Sequence, residues 1–220
     1  MNLQEPFVRP MISTKIGIAG PKRVGKTTLA NLLNAHLKSL GVSADLVHET
    51  ARNAPLPLNE RTSLGTAYWL FGAQVAAEAL VQETRQFTIC DRTVIDLYPF
   101  ALCAAIDRGE DLSDDSATLQ EMRSLKTLIK DYLQARPYEF LFYIPLHLQL
   151  LTTYPPSEDP RFQELLQSEF WRFLEELKED LKIDVIELSS LNNDRRVADV
   201  VAHIQRKYDI PGRARFSPIG

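Results

Sequence analysis

Residues Gly20, Pro21, Lys22, Arg23, Val24, Gly25, Lys26 and Thr27 follow the spacing G-x-x-x-x-G-K-[ST], and the segments on either side restrict the fold around them. Lys15 to Ala19 reads as a short strand, β-branched at Ile16 and Ile18, that stops at Gly20. Leu29, Leu32, Leu33, Leu37 and Leu40 then recur at helical spacing until Gly41, a C-terminal stop. Strand, glycine loop and helix in this order let successive backbone N–H groups wrap an anion at the helix start.

That chemistry predicts a nucleoside triphosphate, ATP, together with Mg²⁺. Lys26 supplies a point charge for the β- and γ-phosphates, and the Thr27 hydroxyl is a ligand for the metal. Gly20, Arg23, Val24, Gly25, Lys26, Thr27 and Thr28 are the candidate nucleotide contacts.

Strands and helices alternate along the rest of the chain. Asp45 to His48 reads as a second strand, separated by a loop with Pro55 and Pro57 from a helical stretch of about 64 to 85. Gln86 to Cys90 is a third strand that ends at Asp91 and leads to a helix near 95 to 107. Asp114 or Asp115 can cap the next helix, striped by Leu119, Met122, Leu125, Ile129 and Tyr132. Phe140 to Ile144 is an apolar run suited to a strand covered on both faces. Asp159 followed by Pro160 fits a helix start, and Phe162, Leu165, Leu166, Phe170, Phe173, Leu174, Leu177 and Leu181 form the face behind it. Val185 to Leu188 is a fifth strand, and Val197, Val200, Val201 and Ile204 mark a last helix. This alternation predicts a three-layer α/β/α fold with a parallel sheet, because parallel neighbours need crossovers. Residues 1–13 read as an arm, 14–208 as one domain and 209–220 as a tail.

In such sheets ligands collect at the carboxyl ends of the strands. Asp91, at the exit of an apolar strand, is placed to hold Mg²⁺ beside Thr27, and Arg92 to fork onto a phosphate or carboxylate. Glu49 ends the second strand, where it is either a base for an attacking hydroxyl or the ion-pair partner of Arg52. Gln74 and Glu78 interrupt one apolar side of the long helix; Gln74 and Trp69 are candidate acceptor contacts, with Trp69 alternatively core and Glu78 a helix edge meeting water. Arg161, a cation in a first helical turn, suits a lid that clamps transferred phosphate or a solvated position, and the loop from His147 to Pro160 is long enough to close.

With 25 Lys and Arg against 29 Asp and Glu, the formal charge of -4 gives no field that gathers a polyanion, so nucleic acid is not an expected partner. Cys90 and Cys103 have no metal-like spacing, and His36, His48, His147 and His203 share none. No basic start precedes an apolar stretch and no run approaches the ~20 apolar residues of a membrane span, so a cytosolic protein is expected.

These residues resemble the P-loop kinases of nucleosides and nucleotides, including thymidylate kinase and deoxynucleoside kinases. They are also similar to predicted AAA-type ATPase/kinase domains related to the ribosylnicotinamide kinase of NAD metabolism. The features that carry the resemblance are the glycine loop, Glu49 to Arg52, the helix with Trp69 and Gln74, Asp91-Arg92 with Asp96, and the arginine-containing lid, within residues 14 to 208. It implies a five-stranded parallel sheet, an acceptor pocket between the long helix and the Asp91-Arg92 loop, and phosphoryl transfer from ATP. The chain departs from the thymidylate kinase pattern D-R-[YF]-x-x-S at Thr93 and Asp96, and has Asp91 where deoxynucleoside kinases usually show Glu.

Two functions follow from this reading. One is a small-molecule kinase with Lys26, Glu49, Asp91, Arg92 and Arg161 in the chemistry, Thr27 and Asp91 on the metal, and Arg52, Trp69, Gln74 and Arg92 at the acceptor. The other is an ATP-hydrolysing regulatory module without a small-molecule acceptor. A homodimer is compatible with either. A pocket beside Asp91 distinguishes the first from the second.

Overall fold

A computed structural model describes residues 13–147, 160–208 and 210. The arm apart from Ser13, the tail apart from Ile210, and Asp159 with the loop before it lie outside the described residues. Five strands, β1 (Thr14–Ala19), β2 (Ala44–Val47), β3 (Phe87–Asp91), β4 (Phe140–Tyr143) and β5 (Val185–Glu187), form one parallel sheet in the order β2-β3-β1-β4-β5. Six α-helices accompany it among the described residues: α1 (Lys26–Ser39), α2 (Leu64–Gln82), α3 (Leu97–Asp107), α4 (Ala117–Ala135), α5 (Pro160–Leu181) and α6 (Asn193–Lys207). This is the expected α/β fold with a five-stranded parallel sheet.

The two-residue period of each strand assigns the layers. Ile16, Ile18, Leu46, Ile89, Phe140 and Phe142 point to one face, where Leu29, Leu33 and Leu37 of α1 and Val200 and Ile204 of α6 cover them. Their neighbours Ala19, Val47, Cys90, Leu141 and Tyr143 point the other way, into a core closed by α2, α3, α4 and α5. Each fully buried Leu, Ile or Phe contributes about 1.5–3 kcal/mol of burial. The sheet interior therefore needs side chains of the right volume on both faces.

Helix starts follow local chemistry. The Ser63 hydroxyl accepts from Thr66 N and opens α2, and the Asn192 side chain accepts from Arg195 N and opens α6. The expected Asp114 or Asp115 cap of α4 is corrected to Ser116, whose hydroxyl accepts from Leu119 N at 3.1 Å. Asp114 instead pairs with Arg123, and Asp115 accepts from the Ser113 hydroxyl. α5 begins at Pro160 as expected, since proline fixes a helical φ where no N–H partner is needed.

One feature of the second core runs against hydrophobic patterning. Lys15 is 1% exposed and Glu78 is 0% exposed, so Glu78 is not a helix edge meeting water. Its carboxylate accepts from Lys15 Nζ at 2.8 Å, Tyr132 OH at 2.7 Å, Tyr138 OH at 2.6 Å and Gln74 Nε2 at 3.0 Å. The Lys15 ammonium also lies 4.5 Å and 4.2 Å from the ring centroids of Tyr132 and Tyr138. A charge taken out of water is tolerated only when it is paired and its remaining lone pairs are filled, and here they are.

Removing one member should therefore cost more than its own contacts. Lys15→Met is expected to destabilise the fold by about 3–5 kcal/mol in urea unfolding, because it strands the Glu78 carboxylate. The double variant Lys15→Met/Glu78→Leu should lose clearly less than the sum of the two single variants. Additive losses would show that the two side chains are not coupled.

Candidate active site

The glycine loop leaves the central strand and wraps the end of its own lysine. Gly25 has φ +93°, in the left-handed region, and a Cβ there would come 2.9 Å from Arg196 Nη1. Gly20 has φ +144°, and a Cβ there would collide with the Ile144 carbonyl oxygen. Only glycine fits either place. Lys26 opens α1 with its ammonium turned back into the loop, donating to the Gly20 carbonyl at 2.6 Å and to the Pro21 carbonyl. Burial, helped by the nearby Arg92 charge, pushes the Lys26 pKa down to about 7.

The β3 exit faces this loop. Asp91 is 2% exposed, and burial raises its pKa against the opposing effect of the Thr27 hydroxyl hydrogen bond. Arg92 follows at φ +84°, a conformation that costs a non-glycine residue about 1–3 kcal/mol and persists only where the surroundings over-determine it. Asp96 supplies one constraint, accepting from Thr93 N at 2.8 Å and Thr93 Oγ1 at 2.7 Å. Its other oxygen accepts from Gly20 N at 3.4 Å, which ties the two loops together.

Glu49, just past β2, completes the constellation. Arg92 Nε pairs with its Oε1, and Arg52 Nε donates to its Oε2 at 3.1 Å. Burial alone would raise the Glu49 pKa, but Arg92 and Arg52 hold it below the usual carboxylate range. Glu49 is thus the ion-pair partner of Arg52, and of Arg92 as well. Arg52 Nη2 donates weakly to Thr27 Oγ1 at 3.5 Å.

A cavity open to solvent lies beside Glu49 and Arg92. Glu49, Thr50, Gln74, Arg92, Thr93 and Asp96 form its polar wall, and Leu58, Ala67, Leu70, Leu97 and Phe100 its apolar one. The Arg92 guanidinium lies 5.1 Å from the Phe100 ring centroid, a cation–π contact that holds it against the cavity.

The structure thus brings together Gly20, Val24, Gly25, Lys26, Thr27, Glu49, Arg52, Asp91, Arg92 and Gln74. Arg23 and Thr28 belong to the same loop and helix start, both exposed. It does not bring Trp69, which is 37% exposed and absent from the cavity wall, so that residue is neither core nor acceptor contact here. The α2 residues that line the pocket are Ala67, Leu70 and Gln74. Arg161 is exposed in the first turn of α5 and is not part of the cavity wall, and residues 148–159 of its loop lie outside the described residues.

Sequence reasoning missed Arg196. It is 2% exposed on α6, and its Nη1 donates to the Val24 carbonyl at 2.8 Å, fixing the loop from below. Its signal was an arginine four residues before Val200, on the apolar stripe of that helix.

The residues present fit a magnesium ion. Asp91 Oδ1 is buried without a hydrogen-bond partner among the described residues, and the Thr27 hydroxyl is beside the same carboxylate. A hard dication that takes oxygen ligands and keeps several waters needs no more than one or two protein groups. Among the described residues no cluster of three His, Cys, Asp or Glu could hold a metal, and no helix is long and apolar enough to cross a membrane.

A parallel sheet with this glycine loop at its central strand defines the P-loop α/β fold. No protein-family model matches the chain, and no curated protein matches it. Solved structures do. Thymidylate kinase from Candida albicans superposes with a TM-score of 0.59 at 15% identity, covering 88% of this chain and 92% of that one. The NadR protein, solved in complex with NR, gives 0.65 at 16% identity over 94% of this chain, which spans 53% of the NadR chain. Deoxyadenosine kinase from M. mycoides with bound dCTP gives 0.58 at 14% identity over 88% of this chain and 100% of that one. The fold is the one shared by thymidylate kinase, deoxyadenosine kinase and the NadR protein.

Lys26 yields a test of the loop that needs no turnover. With a pKa near 7, it is largely neutral at pH 8 in the free protein. A bound polyphosphate favours the ammonium and raises that pKa. Binding of MgATP at pH 8 is expected to take up ~1 proton, and affinity to fall as pH rises above about 7. Calorimetric titrations in buffers of different ionisation heat should then differ, and Lys26→Met should remove the difference. An enthalpy independent of buffer in the unmodified protein would contradict the assignment.

Proposed function

We propose that this chain is an ATP- and Mg²⁺-dependent small-molecule kinase that transfers the γ-phosphoryl group to a hydroxyl of a nucleoside-like acceptor. The observation that carries the proposal is the cavity lined by Glu49, Arg92 and Asp96, the residues just past β2 and β3. It has an apolar wall that suits a ring and a charged wall, Glu49 with Arg92, tied through Asp96 to the glycine loop. A second substrate needs a concave site of this kind.

In this reading the loop N–H groups and Lys26 bind the triphosphate, and Thr27 and Asp91 hold Mg²⁺, which would neutralise charge on the phosphates. Glu49 accepts the hydrogen bond of the attacking hydroxyl. The acceptor oxygen bonds to the γ-phosphorus, the bond from that phosphorus to the bridging oxygen breaks, ADP leaves, and the hydroxyl proton passes to Glu49 or solvent. Arg92 steadies the charge that develops on the transferred group. Arg161 is proposed to add to that clamp from the α5 side.

The wall charges also favour one kind of acceptor. Glu49 and Asp96 stand against Arg92 on the wall, and Glu49 engages the Arg92 Nε. An acceptor with its own phosphate dianion would meet that net negative wall charge. An uncharged nucleoside, or one with a cationic ring, does not meet that cost. Buried, unpaired Cys90 and Cys103 support a reducing, cytosolic setting.

ADP release measured across uncharged nucleosides, a cationic pyridine riboside and nucleoside 5′-monophosphates tests this. The first two classes should be turned over in preference to the monophosphates. Glu49→Gln should lower acceptor-dependent turnover by roughly 10²–10⁴ with little change in ATP affinity. Preference for monophosphates, or full activity in the variant, would overturn the acceptor site as drawn.

A further inference from the structure

Gln74 lines the cavity, yet its amide is already engaged. Nε2 donates to Glu78 Oε1 at 3.0 Å and to the Arg92 carbonyl at 3.2 Å, and Oε1 accepts from Thr50 Oγ1 at 3.3 Å. The orientation of the amide is fixed by its partners. Glu78 Oε1 and the Arg92 carbonyl can only accept, so they must face the NH₂, and the Thr50 hydroxyl must then donate to the oxygen. Both N–H donors are used and one acceptor lone pair remains, on a residue that is 2% exposed.

Its partners have a common meaning. Thr50 is the residue after Glu49, and the Arg92 carbonyl belongs to the residue that pairs with Glu49. The peptide unit between Arg92 and Thr93 is gripped on both sides, by Gln74 at the carbonyl and by Asp96 at the N–H. Arg92 is also the residue of the site with a side chain held at φ +84°. Behind Gln74 stands Glu78, immobilised by Lys15, Tyr132 and Tyr138.

We infer that Gln74 is a positioning residue, braced by the buried Glu78 cluster, that sets the Glu49–Arg92 pair from its backbone side rather than reading the acceptor's ring. The inference rests on the kinase reading for its kinetic consequence but not for its geometry. A ring-reading glutamine would need free donors toward the cavity, and this one has spent them on the protein. Gln74 thus links a charge cluster inside the core to the Glu49–Arg92 pair on the cavity wall.

The test is Gln74→Leu, which keeps volume and removes all three bonds. Turnover number should fall by roughly 10- to 100-fold, to the same degree for acceptors with different rings, while the KM values for ATP and acceptor hold within about 2-fold. A KM that rises for some rings only, with turnover number kept, would overturn the inference in favour of ring recognition. An activity-independent arm is the Arg92 Nε–H signal in ¹H–¹⁵N spectra. It should be shifted and slow to exchange in the unmodified protein, and should move toward the position of a free arginine in the variant; an unmoved signal overturns the inference. If the unmodified protein transfers no phosphoryl group, the kinase reading fails while this spectrum still decides the brace. Should Gln74→Leu fail to fold, Thr50→Val removes one bond and should shift the same signal in the same direction by a smaller amount, no shift counting against the brace.

Discussion

A desolvated ammonium sets the terms for the whole carboxyl edge of the sheet. Lys26 is 5% exposed, and its direct partners among the described groups are neutral carbonyls of its own loop. Burial therefore weakens its charge, while Asp96, Glu49 and Asp91 together favour it and Arg92 opposes it. The loop can hold such a group only if its backbone comes close, which is why Gly20 packs on the Ile144 carbonyl and Gly25 on Arg196. Arg196 on the Val24 carbonyl and Asp96 on Gly20 N then lock the loop from two other elements.

The opposite side of β1 carries a second charge problem with a different solution. There the Lys15 ammonium meets a full carboxylate, and that carboxylate is filled by two tyrosines and an amide. One strand thus presents a paired lysine near its start and leads to a nearly unpaired one after its end. The paired one gives rigidity to α2 and α4 against the sheet; the other is ready to gain a partner. Through Gln74 the rigid cluster reaches the strained Arg92, so the order of the core extends to the cavity wall.

Much of this was legible in the sequence because it is local. The glycine loop, the alternation of strand and helix, and Glu49, Asp91 and Arg92 at strand exits are all written in a few adjacent residues. What was not legible joins residues far apart: Lys15 with Glu78, and Arg196 with Val24, across 63 and 172 positions. Glu78 read as a water-facing helix edge because a helical stripe shows only that a residue faces something, and the tyrosines that receive it come from α4 and the turn before β4. Trp69 failed in the opposite sense. α2 has Glu78 as its one charged residue, so its periodicity gave little to separate an exposed face from a buried one, and the tryptophan lies on the exposed side. The α4 cap moved from Asp114 or Asp115 to Ser116 because both residue types can cap and only the hydrogen-bond geometry chooses between them.

In the proposed reaction an acceptor seated in the cavity takes the phosphoryl group bound at the loop. ³¹P NMR of the protein with MgATP and an uncharged nucleoside reads the fate of that group directly. The γ-phosphoryl signal is expected to be replaced by a phosphomonoester resonance in step with ADP, with little inorganic phosphate. Inorganic phosphate as the product, at a rate indifferent to the nucleoside, would contradict it and leave the fold a nucleotide hydrolase.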